Sequence, residues 1–250
     1  MSSKVRVVLF DLDDTLYDHS YHITSAITAL RKKHAFLQNY PLEYLTQLSH
    51  KLLEEVHSRL LKGEISLQDA RRIRWQRFLE EFRQEENYDP ITFGAFYLNA
   101  YYESERVVPG TFELLKTLRE DFSIGIISNN LLAEQIEKMK RLGISEYIDF
   151  FAISEEVGAA KPHRKIFDVA IERSKFSTAE AVLIGDSWEN DVLGALNVGI
   201  RPIWLNRNGM ASPDPRIAEI ASLEPVEVVL HHILSEIPTP QITRPDPARA

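Results

Sequence analysis

The chain has 250 residues, 44% hydrophobic and 26% charged, with 29 Lys and Arg against 37 Asp and Glu, a formal net charge of −8 and no cysteine. The missing cysteine excludes a disulfide framework, a thiol nucleophile and any thiolate metal site, and the composition is that of a folded chain, not a disordered one. The acidic balance argues against binding a nucleic acid polymer, which runs on Lys and Arg contacts to phosphate, but leaves room for a small phosphorylated ligand with a locally built site.

The first predicted element is a strand over 4–10, Lys-Val-Arg-Val-Val-Leu-Phe, β-branched and then fully apolar as in a strand buried on both faces. Asp11 ends it, so the run is too short for a signal core or a membrane span. The expected location is cytoplasmic, with no membrane partner. From Tyr17 to Glu105 the texture turns helical. Ile23, Ala26/Ile27 and Leu30 recur at helical spacing, as do Leu45, Leu48, Leu52 and Val56, then Leu67, Ala70, Trp75, Phe78 and Phe82, then Phe93, Phe96/Tyr97 and Ala100/Tyr101. Pro41, Gly63, Pro90 and Gly94 are read as breaks between these segments, giving a four-helix unit.

After Val107-Val108-Pro109-Gly110 the strands return, over 123–127, 148–153, 181–184 and 200–205, with helical stretches near 111–120, 131–142, 164–174 and 189–198. Strands alternating with helices of this length give βαβ units and a parallel sheet covered on both faces. The expected fold is therefore α/β, a Rossmann-like parallel-sheet core (1–16 and 106–237) with an inserted helical-bundle cap (17–105). Residues 238–250 hold four prolines and no apolar periodicity, and are expected to form a disordered tail.

In open α/β sheets, ligands bind at the carboxyl ends of the strands. Four polar clusters stand at such ends here. Asp11 and Asp13, two apart in an extended segment, address one side. Gly185-Asp186 closes another strand, and Asp191 follows five residues after Asp186. Carboxylates gathered in one place repel unless a hard cation neutralises them, and Mg²⁺ is the natural occupant. Ser128 and Asn129 end a third strand just before a helix, where a hydroxyl and backbone N–H groups make an anion site. Lys161, ahead of Pro162, offers a fixed ammonium. Each cluster alone reads as a turn, a cap or a loop. All four in this order, each at a strand end, point to a site.

Together Asp11-Leu12-Asp13-Asp14-Thr15, Ser128, Lys161-Pro162 and Gly185-Asp186-Ser-Trp-Glu-Asn-Asp191 resemble the four motifs of the haloacid dehalogenase superfamily, and an insertion directly after the first motif is similar to its helical cap of the first type. The resemblance implies a Mg²⁺-dependent phosphatase acting on a small-molecule phosphate ester. Asp11 would be the nucleophile and Asp13 the general acid and base. Ser128, Asn129 and Lys161 would hold the phosphoryl group. Asp186 would bind Mg²⁺ with Asp11 and the main-chain carbonyl of Asp13, with Asp191 in support. Many members carry Gly where Asp14 stands, and the dehalogenases generally lack an acid at the Asp13 position, so Asp13 favours ester hydrolysis. Rival readings are a dehalogenase or phosphomutase on the same fold and a catalytically silent binding or regulatory domain; in the latter Asp11, Asp13, Lys161 or Asp186 would be eroded, and none is.

Cap residues that could read the leaving group are Tyr17, His19, His22, Arg71, Arg72, Arg74, Trp75 and Tyr101, although Trp75 on an apolar stripe also reads as cap core. His163, next to Lys161-Pro162, reads as a helix-start residue. Nothing in the sequence indicates an oligomeric state.

Overall fold

A computed structural model describes residues 4–235; the tail expected over 238–250 lies outside them. The chain separates into two compact units, one made of the residues up to Tyr17 and from Val107 onward, the other of Asp18–Arg106.

The first unit opens with β1 (Val7–Phe10), every residue buried as its unbroken apolar run dictates. The second unit is four helices, α1 (His19–Lys33), α2 (Leu42–Leu61), α3 (Leu67–Glu81) and α4 (Pro90–Glu103). Two of their starts are written locally. Ser66 accepts from the Asp69 N–H, and Asp89 accepts from the Thr92 N–H with Pro90 in the first turn. The predicted apolar positions supply the interior: Ile23, Ala26, Ile27, Leu30, Leu45, Leu52, Val56, Trp75, Phe78, Phe93 and Tyr97 are buried. Gly94 departs from expectation. It lies inside α4 instead of breaking the chain, because a Cβ there would stand 2.3 Å from Trp75 Cδ1. A side chain is excluded so that α3 and α4 can approach.

The first unit continues with α5 (Thr111–Leu118), β2 (Ser123–Ser128), α6 (Leu132–Arg141), β3 (Phe150–Ile153), the single turn α7 (Ser154–Val157), α8 (Arg164–Ser174) and β4 (Ala181–Gly185). A wide π-type turn (Trp188–Leu193), α9 (Gly194–Val198), β5 (Arg201–Leu205), β6 (Ala218–Ile220) and α10 (Val226–Leu234) complete it. The expectation had not reached β6 or α10. Among the described residues six strands form one sheet in the order β3-β2-β1-β4-β5-β6, every pair parallel. The connections reverse direction at β1, between β2 and β4, which makes the carboxyl end of β1 the switch point where α/β sheets open a crevice. One flank of the sheet is sealed by Ile166, Phe167 and Ala170 of α8 and Ala195 of α9, packed with Val7, Leu9, Ile127 and Leu183. Among the described residues no helix is long and apolar enough to cross a membrane.

Candidate active site

The strand ends of this unit converge. A cavity of about 170 Å³ is lined by Asp11, Asp13, Ser128, Asn129, Lys161, Asp186 and Asp191, with Ser187 and Asn190 added from the loop and π-type turn after β4. Asp11 directly follows β1, and its N–H donates to the Ile184 carbonyl, so the β1–β4 ladder carries the nucleophile candidate to the carboxyl end of the sheet. The chain then turns at once. Asp14 sits at φ 62°, with its N–H bonded to the Tyr17 carbonyl. This left-handed position suits Asp and Asn better than other side chains and glycine best of all, which gives a backbone reason for Gly or Asp at this place.

Lys161 is 5% exposed, and its Nζ lies 2.5 Å from Asp11 Oδ1 and 2.6 Å from Asp191 Oδ1. Asp191 is wholly buried and accepts from the Ser187 N–H at 3.0 Å. It is delivered there by the π-type turn, a distortion that recurs where a helix must place one side chain precisely. A Cβ on Gly185 would lie 2.4 Å from Asp191 Cγ, so only glycine leaves that carboxylate its place. Thr15 donates toward Asp11 Oδ2 at 3.3 Å.

The electrostatics follow from this crowding. Burial, aided by Asp191 and Asp13 and opposed by Lys161, pushes the Asp11 carboxyl up to about 7. Burial, then Asp11 and Asp191, push Asp186 up to about 8. For Lys161 burial acts downward, but the carboxylates of Asp11 and Asp191 outweigh it and hold the ammonium above its ordinary range. One ammonium thus faces three buried or half-buried carboxyl groups. Asp11, Asp186 and Asp191 each bring an oxygen within 4.8 Å of the others. The set is all oxygen, acidic and short of positive charge, the donor type that Mg²⁺ takes. The donors therefore fit a hard divalent cation.

Two expected residues stand differently from the others. The Asp13 carboxylate lies outside that trio; it is bonded to the Lys138 ammonium and accepts from Gln135 Nε2 at 2.8 Å. The Asn129 side chain clips the backbone of Lys161, accepting its N–H at 2.6 Å and donating to its carbonyl at 2.9 Å. Asn129 thus fixes the lysine, and what it leaves for an anion is main chain. Nor does a helix begin right after Ser128, since α6 starts four residues on.

Gln135 and Lys138 went unnoticed in the sequence. They lie three apart on α6, buried between Leu131 and Leu142 at helical spacing, and polar residues inside an apolar stripe are the signal that could have found them. Of the residues proposed to read a leaving group, Trp75 is core of the helical unit, packed against Phe78 and Tyr97, and Arg74 is buried beside it, bonded to Ser49. His22 is buried against the Arg106 carbonyl, and His163 caps α8. A larger hollow of about 300 Å³ between α1 and α2 has as its ionisable groups Lys51 and the His50–Glu54 pair; that pair is solvated and one turn apart, without the convergence of charge seen at the strand ends.

A model of the haloacid dehalogenase-like hydrolases matches residues 5–199. The chain is 32% identical over 205 residues to a glyceraldehyde 3-phosphate phosphatase of Methanothermobacter thermautotrophicus, covering 81% of this chain and 86% of that one. It is 38% identical over 136 residues to the pyrimidine 5'-nucleotidase YjjG of Escherichia coli, a match spanning 54% of this chain and only 60% of the relative. Among solved structures, the hydrolase YfnB of Bacillus subtilis, itself bound to magnesium, superposes with a TM-score of 0.70 at 25% identity, covering 93% of this chain and 100% of that one. The family match runs from the start of β1 past the π-type turn, and so takes in every strand end that builds the cavity: this chain belongs to the haloacid dehalogenase-like hydrolases.

Proposed function

We propose that the protein is a Mg²⁺-dependent phosphatase that hydrolyses a small-molecule phosphomonoester, a nucleotide, phosphosugar or phosphorylated metabolic intermediate, through an aspartyl-phosphate. The observation that carries this reading is the Asp11–Lys161–Asp191 cluster with Asp186 at the switch point of the sheet, facing Ser128 and Asp13 across one small cavity. The phosphatase and nucleotidase relatives support it.

In this reading Asp11 Oδ attacks phosphorus, and the ester oxygen departs with the bonding pair and takes a proton from Asp13. The Asp13 carboxylate then accepts a proton from water as that water attacks phosphorus. The bond to Asp11 breaks, releasing phosphate and restoring the acid. Acid–base help of this kind contributes roughly 10²–10⁴-fold. Ser128 and the main chain beside Asn129 hold phosphoryl oxygens, while Lys161 restrains the nucleophile and offsets charge. Asp11, Asp186 and the Asp13 carbonyl would hold Mg²⁺, supported by Asp191, and the ion when bound offsets the repulsion between a carboxylate and a phosphate dianion. An acid at Asp13 favours an alkoxide leaving group over halide, which leaves without a proton.

The test is a panel of phosphate esters and 2-haloacids assayed with Mg²⁺ and with chelator, beside Asp11→Asn. Mg²⁺-dependent release of phosphate that vanishes in Asp11→Asn is the expected result. Halide release in its place, or ester turnover that survives Asp11→Asn, overturns the proposal.

A further inference from the structure

We infer that Gln135 and Lys138 are positioning residues that hold the Asp13 carboxyl group for proton transfer; the inference rests on the phosphatase reading above. Both are buried, at 0% and 8% exposure, and both project from one face of α6. Gln135 Nε2 uses its two hydrogens on two different groups, Asp13 Oδ2 at 2.8 Å and Ser128 Oγ at 2.7 Å. One amide nitrogen therefore fixes the acid relative to the hydroxyl proposed to hold the phosphoryl group. Because Ser128 Oγ accepts this bond, its own hydrogen remains to be donated.

The other end of the amide sharpens the point. Among the described residues Gln135 Oε1 is buried without a hydrogen-bond partner. Here the orientation is decided by the two donations, and turning the amide over would face its oxygen toward a carboxylate. Lys138 engages the other oxygen, Asp13 Oδ1, while its ammonium lies 4.4 Å from the centre of the buried Tyr17 ring. Both carboxyl oxygens are thus held from one helix, and rotation of the group is restrained.

Positioning of the acid predicts a dependence on leaving group. An alkoxide needs the proton of Asp13 to depart, whereas p-nitrophenolate does not. Both substrates need Asp13 again when water attacks Asp11-phosphate. The full-length chain with Mg²⁺, as wild type, Gln135→Glu, Lys138→Met and Lys138→Arg, is to be assayed on glycerol phosphate and p-nitrophenyl phosphate, in steady state and in the first turnover. Gln135→Glu keeps the shape and Lys138→Met keeps the stem; thermal unfolding identifies any variant that has lost its fold, in which case the other one decides. For Lys138→Met, which leaves the Gln135 bond to Ser128 in place, kcat on glycerol phosphate is expected to fall at least ~10-fold with KM changed by less than about threefold; Gln135→Glu lowers the same kcat and, by releasing Ser128, also raises KM. With p-nitrophenyl phosphate the first turnover stays near wild type while later turnovers slow, so a burst of nitrophenolate appears; Lys138→Arg restores most of the rate. Equal slowing of the first turnover on both esters, a change confined to KM, or unchanged kcat on glycerol phosphate would overturn the inference. If the wild type hydrolyses neither ester nor any other phosphate ester, the phosphatase reading falls and takes this with it; hydrolysis with indifferent variants removes the inference alone.

Discussion

At the scale of single residues, Lys161 has the most to balance. It is buried within 2.6 Å of two carboxylates, and a third lies close by. Removing one partner of a buried ion pair leaves uncompensated charge and typically costs about 3–5 kcal/mol. Lys161→Met is therefore expected to lose at least ~100-fold in ester turnover. Its stability loss should be larger at pH 8 than at pH 5, because at pH 5 the Asp11 carboxyl, raised to about 7, is protonated and no longer a buried charge. Urea unfolding at the two pH values measures this. These residues were legible because four polar clusters follow one another at predicted strand ends, a combination that separate turns and caps do not explain. Gln135, Lys138 and the clip made by Asn129 were not, since their partners lie up to 125 residues away and nothing in their neighbours announces the pairing.

At the scale of elements, α3 and α4 show a local rule reversed by packing. Gly94→Ala in a helix interior normally stabilises by roughly 1 kcal/mol through propensity. Here the added carbon would meet Trp75 Cδ1 at 2.3 Å, and overpacking of this sort costs about 1–3 kcal/mol. The variant should be less stable than wild type, as read from its urea midpoint; a gain would show that the Trp75 ring moves aside freely. The same conflict explains why Gly94 looked like a break in the sequence. Helix periodicity was plain in α1 to α4, where apolar stripes are long. By contrast β6, with three residues, and α7, a single turn, are too short to display a period.

At the scale of the molecule, the crowded carboxyls set a pH dependence. Asp11 and Asp186 are raised from their ordinary value to about 7 and about 8. The folded chain therefore binds protons there that the unfolded chain has already released. Between about pH 4 and pH 8 the slope of unfolding free energy with pH is negative from these groups: their contribution is complete below the unfolded pKa and is lost as pH rises through the folded values. In chelator, thermal stability should fall across that interval. Mg²⁺ should restore it most at the alkaline end, because the ion favours the ionised carboxylates, and Asp11→Asn should flatten the slope. Scans at pH 5 and pH 8, with and without Mg²⁺, check all three; a flat profile in chelator would show that the carboxyls are not destabilised by their neighbours.

By itself the sequence determined the alternation of strand and helix, the all-apolar β1, the long helical insertion and the chemical identity of the strand ends, since each is written in residues adjacent along the chain. The tertiary structure alone decided the strand order β3-β2-β1-β4-β5-β6, and with it which ends meet. That order sets Asp11 between the ends of β2 and β4, where Ser128 and Asp186 stand, and the loop before α8 brings Lys161 to Asp11 and Asp191. The tertiary structure also decided that Asp13 faces α6 and not the carboxylate trio. Pairing across 100 residues or more is settled by burial and hydrogen bonding in the assembled sheet, and local pattern carries no record of it.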